Sequence, residues 1–204
     1  MSLWETVVAG GVSMVFLGVL SVAALALIVK YFIVLSAESN SISVISDEVL
    51  ALATDGKYEE AVGLCSNNSY YITRILKAGL KSDGKPYIII RESVEGFAAR
   101  ETILMRRDTV YLNAIAVLSP MLGLLGTVLG MMQAFNVIAL QEGLGKPEML
   151  AEGIAKALVT TAAGLIIAIP AMGFCFYFRA KIQQIAIQAQ EKSAELIAIM
   201  VGRS

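Results

Sequence analysis

The sequence predicts an all-α integral membrane protein with three transmembrane helices and long cytoplasmic helical extensions. Three observations lead there. Of 204 residues, 57% are hydrophobic and only 16% charged, and the mean hydropathy is +0.72, too apolar for a water-soluble domain of this length. Three stretches, Thr6 to Val29, Thr109 to Gln141 and Ala157 to Phe178, contain no Asp, Glu, Lys or Arg. Each can cross a hydrocarbon core of roughly 30 Å at about 1.5 Å per residue. Apolar residues in the more charged segments recur at helical spacing.

The elements follow in order. Residues 1–5 are read as an external amino terminus and 6–29 as the first transmembrane helix. No basic residue precedes that span, and it ends in Lys30-Tyr31-Phe32 instead of a cleavage site, so it is a span with an interfacial anchor, not a signal peptide. Residues 30–108 are a cytoplasmic helical domain that includes the start of a long second helix. Within it Val44, Ile45, Val49, Leu50 and Leu52, then Ala61, Val62 and Leu64, then Ile72, Ile75, Leu76 and Leu80 have helical spacing. Short helices are expected, broken at Asp55-Gly56, Ser66-Asn67-Asn68 and Asp83-Gly84-Lys85-Pro86.

From Tyr87 to Ile138 breakers are few, which predicts one helix on the order of 75 Å long. Its transmembrane part is 109–138, followed by a short external loop at 139–152 and a third transmembrane helix at 153–178. A cytoplasmic helix at 179–204 follows, since Ile182, Ile185, Ala189, Ser193, Leu196, Ile197 and Met200 continue the helical repeat.

Charge sets the direction. Fourteen of the sixteen Lys and Arg residues fall on one side of these spans; the exceptions are Lys146 and Lys156. By the positive-inside rule that side is the cytoplasm, which leaves the amino terminus outside and the carboxy terminus inside. The net charge of −1 and the lack of histidine give no support to nucleic-acid binding or to a histidine-based catalytic or zinc site. Cys65 and Cys175 stand alone in different kinds of segment and make neither a disulfide framework nor a metal pair. No nucleophile and base pair, phosphate loop or metal cluster occurs at usable spacing, so no enzyme, cofactor or metal is expected.

The second and third spans are rich in small and hydroxyl-bearing residues. Ser119, Gly123, Gly126, Thr127, Gly130 and Ala134 fall near one face of the second, and Ala157, Thr161, Gly164 and Ala168 near one face of the third. On pattern alone the first reading is plain helix packing, with threonine hydroxyls bonded back to the carbonyl four residues earlier. Pro120 and Pro170 read as helix kinks, tolerated where neighbours satisfy the freed carbonyl. No acid or base lies within Thr109–Gln141 or Ala157–Phe178, yet intramembrane proton relays ordinarily need a titratable group. If protons pass here, another chain supplies the carrier.

Leu118-Ser-Pro-Met-Leu-Gly-Leu-Leu-Gly-Thr-Val-Leu-Gly-Met-Met-Gln-Ala-Phe135 and Gly153-Ile-Ala-Lys-Ala-Leu-Val-Thr-Thr-Ala-Ala-Gly-Leu-Ile-Ile-Ala-Ile-Pro-Ala171 resemble the MotA/TolQ/ExbB proton-channel family. The three-span layout is similar to the ExbB and TolQ branch, whereas MotA proteins have an additional span. The resemblance implies a homopentamer around a central pore in the bacterial inner membrane. That pore would enclose two copies of a single-span ExbD- or TolR-like partner whose transmembrane aspartate carries the proton. A TonB- or TolA-like periplasm-spanning protein would be a further partner, and the lipid bilayer the solvent.

The family's pore-lining threonines match Thr127 and Thr161, with Gly123, Gly126, Gly130, Ala157 and Gly164 packing the helices at the pore. A hydroxyl both donates and accepts, so it solvates a water or a carboxylate without adding a charge. Many ExbB-type proteins carry an acid where this chain has Lys156, a charge expected at the outer mouth. ExbB, TolQ and another branch stay open. The rival reading is a non-conducting scaffold that assembles a membrane complex through its small-residue faces.

Overall fold

The computed structural model describes residues 11–140 and 147–202, and no strand occurs among them. Five helices form: α1 (Gly11–Thr54), α2 (Tyr58–Asn67), α3 (Tyr71–Leu80), α4 (Tyr87–Leu140) and α5 (Pro147–Val201). Three of them, α1, α4 and α5, are long and apolar enough to cross a membrane. The expected external terminus 1–5, the first residues of the 6–29 span, and 141–146 of the expected loop lie outside the described residues. The helical ends bracket that loop tightly, for α4 continues to Leu140 and α5 opens on Pro147, whose fixed φ suits the first helical position.

Helix ends sit at the breakers. Gly56 (φ 80°) and Gly84 (φ 75°) adopt the left-handed conformation in the α1–α2 and α3–α4 turns, which glycine reaches without a Cβ penalty. Asn68 follows α2 and its side-chain amide donates to the Leu64 carbonyl at 3.0 Å. The helix α1 runs unbroken for 44 residues and carries the Val44–Leu52 segment on the same helix as the first span, up to the break at Asp55-Gly56. Ser41 donates to the carbonyl of Ala37 at 2.8 Å and Ser46 to that of Ile42, so these serines are satisfied on the helix itself. Neither Gly nor Pro occurs between Gly18 and Gly56 to stop it.

The chain divides into two compact units. One comprises Met1–Val29 and Thr109–Phe176, the other Lys30–Asp108 and Tyr177–Ser204. In the first unit the buried residues are mostly small, with Ala24, Ala116, Ala157, Ala168, Ala171 and Cys175 beside Leu17, Leu112 and Ile115. Its surface is apolar: Val19, Leu124, Met132, Ile166 and Ile169 are all exposed. That arrangement suits lipid or neighbouring helices and not water. The most apolar window of α1 is 17% buried, against 33% in α4 and 28% in α5, so α1 has the most open surface.

The second unit has a core of larger side chains. Ile72, Ile75 and Leu76 of α3 are fully enclosed, as are Val49 of α1 and Ile182 and Leu196 of α5. A Cβ on Gly79 of α3 would lie 3.1 Å from Val94 and 3.3 Å from Leu196, so α3, α4 and α5 meet there. Polar contacts tie the same helices. Glu38 of α1 accepts the Tyr71 backbone N–H at 2.7 Å, filling a donor left open at the start of α3. Burial raises the Glu38 carboxyl above its ordinary range, opposed by that N–H and by Arg74.

Arg74 donates to Glu101 at 2.8 Å, and the Tyr71 hydroxyl pairs with Thr102 at 2.8 Å. Lys192 reaches Asp47 at 2.7 Å, which raises its pKa. At the other end of this unit Lys30 pairs with Asp108, and that bond holds the carboxyl below its usual range. Beside it the Tyr31 hydroxyl donates to the Met105 carbonyl at 2.9 Å. The rings of Phe32 and Phe178 meet edge-on at 5.3 Å.

Candidate functional site

The first unit carries the residues singled out in the sequence, on a seam between α4 and α5. The contacts run antiparallel. Gly164 lies against Ser119, where an added Cβ would come 2.5 Å from the Ser119 carbonyl oxygen. Gly123 lies against Thr160 and Thr161, at 2.8 Å from the Thr160 carbonyl and 2.9 Å from the Thr161 Cα by the same construction. An added Cβ would come 2.5 Å from the Thr160 hydroxyl oxygen at Gly126, 2.9 Å from the Ala157 Cβ at Gly130 and 2.5 Å from the Ala134 Cβ at Gly153. Glycine is required at each because backbone, or a side chain locked by backbone, occupies the space of a Cβ.

Hydroxyls provide the polar chemistry of this seam. Ser119 is fully buried and donates to the Ile115 carbonyl at 2.7 Å. Thr127 is 7% exposed and donates to the Leu124 carbonyl at 2.7 Å. Thr160 is 1% exposed; its hydroxyl faces the Ala157 carbonyl at 2.7 Å and, across the helix pair, the Gly123 carbonyl at 3.1 Å. Thr161 is half-buried. Its Oγ1 is enclosed yet has no hydrogen-bond partner, alone among the buried side-chain polar atoms described. Leaving such a group unpaired costs about 1–3 kcal/mol.

Of the sequence-selected residues, Gly123, Gly126, Gly130, Ala157 and Gly164 thus come together on the seam with Thr161 beside them. Thr127 is buried on α4 with its hydroxyl turned to its own helix. Pro120 and Pro170 lie inside unbroken helices. Lys156 falls on α5, and its side chain lies outside the described residues. Sequence reading passed over Thr160 and Gly153. The signal was there: Gly153, Ala157, Thr160, Gly164 and Ala168 follow one another by four, three, four and four residues, a stripe on one helix face.

Among the described residues the first unit has no ion pair, and no group of three His, Cys, Asp or Glu residues converges in either unit. The polar groups described at these glycine contacts are hydroxyls and backbone carbonyls. The fold and this seam define a multi-pass helical membrane protein whose spans pack through small residues and carry uncharged polar groups inside.

Comparison with known proteins names the class more closely. The model of the MotA/TolQ/ExbB proton channel family matches residues 67–191, which include the whole α4–α5 seam. The chain belongs to the MotA/TolQ/ExbB proton channel family. It is 31% identical over 192 residues to putative biopolymer transport protein ExbB-like 3 of Synechocystis, covering 93% of this chain and 91% of that one. It is 52% identical over 61 residues to biopolymer transport protein exbB1 of Vibrio cholerae, 30% of this chain and 27% of that protein. With putative ExbB-like 1 of Synechocystis it shares 41% identity over 103 residues, half of this chain and 41% of the relative. The chain thus spans well under half of those two relatives and nearly all of the first.

Proposed function

We propose that this chain is the channel-wall subunit of a proton-driven motor in the bacterial inner membrane. The family assignment supports a proton-channel role. The observation that carries the finer reading is the enclosed, unbonded hydroxyl of Thr161, on spans whose sequence has no Asp, Glu, Lys, Arg or His from Thr109 to Gln141 or from Ala157 to Phe178. A wall that solvates without titrating needs a carrier from elsewhere. In this reading five copies enclose two single-span ExbD- or TolR-like chains, and a transmembrane aspartate of the partner is protonated against Thr127 and Thr161. A TonB- or TolA-like protein passes the resulting motion to the outer envelope.

In the same reading α4 and α5 form the pore wall, Pro120 and Pro170 shape it, and Lys156 stands at the outer mouth. The open surface of α1 faces lipid, and the amino terminus is periplasmic. One charge crossing about 150 mV releases roughly 3.5 kcal/mol, enough to bias one step between two states. Large work therefore takes many cycles.

The test is co-expression with a single-span partner, reconstitution in liposomes and measurement of proton uptake. Thr127→Val and Thr161→Val should insert and assemble like the parent yet lose most of the flux. Full flux in both removes the pore-lining role. The second reading is a non-conducting scaffold that assembles a membrane complex through small-residue helix faces. Stable assembly with a partner but no proton flux from the parent complex would select it.

A further inference from the structure

The hydroxyl of Thr160 stands on two carbonyls, those of Ala157 at 2.7 Å and Gly123 at 3.1 Å. Ala157 lies four residues before Thr161, and Gly123 four residues before Thr127. Those are the carbonyls four residues back, one of the two positions, three or four residues earlier, to which a helical threonine hydroxyl back-bonds. The single hydroxyl proton of Thr160 is shared between both. The Thr161 hydroxyl has no hydrogen-bond partner, and that of Thr127 turns to Leu124, three residues back.

Space fixes this arrangement. Thr160 is 1% exposed, and its Oγ1, Cβ and Cγ2 fill the place of a Cβ on Gly126 at 2.5, 2.8 and 3.1 Å. Few other rotamers are open to a side chain walled in by backbone.

We infer that Thr160 is a positioning residue: its hydroxyl holds the Ala157 and Gly123 carbonyls and so keeps the hydroxyls of Thr161 and Thr127 from back-bonding there, leaving the Thr161 hydroxyl free for water or a carboxylate. This rests on the pore reading of Thr127 and Thr161. The small-residue seam alone does not lead to it; the shared hydroxyl and the unbonded neighbour do.

Shape and hydroxyl separate cleanly in two substitutions. Thr160→Val keeps the shape and removes the hydroxyl, whereas Thr160→Ser keeps the hydroxyl and removes a methyl. Both are compared with the parent and with Thr161→Val in the complex with its single-span partner, reconstituted in liposomes, by proton uptake and by subunit assembly. The expected result is that Thr160→Val assembles and loses about five- to tenfold in flux, the worth of one neutral hydrogen bond, while Thr160→Ser conducts like the parent.

The reverse order, with Val at parent flux and Ser impaired, makes Thr160 a packing residue and overturns the inference. Loss of assembly in both Thr160→Val and Thr160→Ala, with Thr160→Ser intact, assigns the hydroxyl to holding the helices and overturns it too. If Thr161→Val conducts fully, the pore reading itself fails; if it does not conduct but Thr160→Val does, only the positioning role fails.

Discussion

The two units are built on opposite packing rules. In the first, glycine and alanine let α4 and α5 approach until backbone touches backbone, and no charged pair takes part among the described residues. In the second, Ile72, Ile75, Leu76, Ile182 and Leu196 fill the interior, and Glu38, Arg74, Glu101, Lys192 and Asp47 bind the helices at its edges. Water explains the difference. The hydrophobic effect rewards burying a leucine only where the alternative is water, whereas in lipid close fit and hydroxyl bonds supply the attraction. One unit is therefore sensitive to subtraction and the other to addition.

The sharpest way to break that contrast is to subtract from the second unit. Leu76→Ala, at a fully enclosed position, should destabilise by about 2–5 kcal/mol, read by thermal unfolding in detergent micelles. Next in size is addition to the first. Gly164→Ala places a Cβ against the Ser119 carbonyl and should destabilise by about 1–3 kcal/mol. Gly173→Ala in the same helix meets nothing within 4 Å and should unfold like the parent. If both glycine variants behave alike, the close-packed seam is wrong.

Smaller effects come from the charged edges of the second unit. Arg74→Ala strands Glu101, whose side chain is 12% exposed, but Arg74 itself is 40% exposed. Solvent screening discounts the loss to about 1 kcal/mol, measured by denaturant unfolding.

Asp108 and Glu38 should then give opposite pH slopes. The Asp108 carboxyl is lowered by the bond from Lys30, so its contribution is present above the ordinary aspartate range and disappears as pH falls through the lowered value. Asp108→Asn should remove at most about 1 kcal/mol at neutral pH, because the Lys30 side chain is 58% exposed and solvent screens the pair. Glu38 is raised by burial, so the folded state holds its proton longer and stability declines as pH climbs from the ordinary glutamate value to the raised one. Glu38→Gln should flatten that decline in unfolding curves taken across the acidic range. An unchanged slope would mean that the carboxyl is solvated.

Much of this was legible along the chain. Spans show themselves by the absence of charge, because a charged group in lipid is expensive wherever the helix lies. The breaks at Gly56 and at Gly84 are local, set by glycine's access to positive φ. The small stripe on α4 shows its period without any partner. That the first span and the Val44–Leu52 segment share one helix was not legible, because a serine's preference for cap or turn is decided by whether a carbonyl four residues back is free to receive it. Nor was the choice between Thr160 and Thr161. Adjacent residues on a helix differ by about 100° in direction, and sequence spacing fits either to a stripe of alanine and glycine.

What the sequence alone determined is the membrane class, the three apolar spans, the helical character of the charged segments and a family signature carried by the second and third spans. Each follows from local composition or period, which needs no knowledge of neighbours. Only the tertiary structure decided which hydroxyl is bonded and which is left free. Whether Thr160 reaches the Gly123 carbonyl, and Thr161 reaches nothing, depends on the register of α5 against α4. Glycines 37 and 34 residues away from Thr160 set that register by letting two backbones touch.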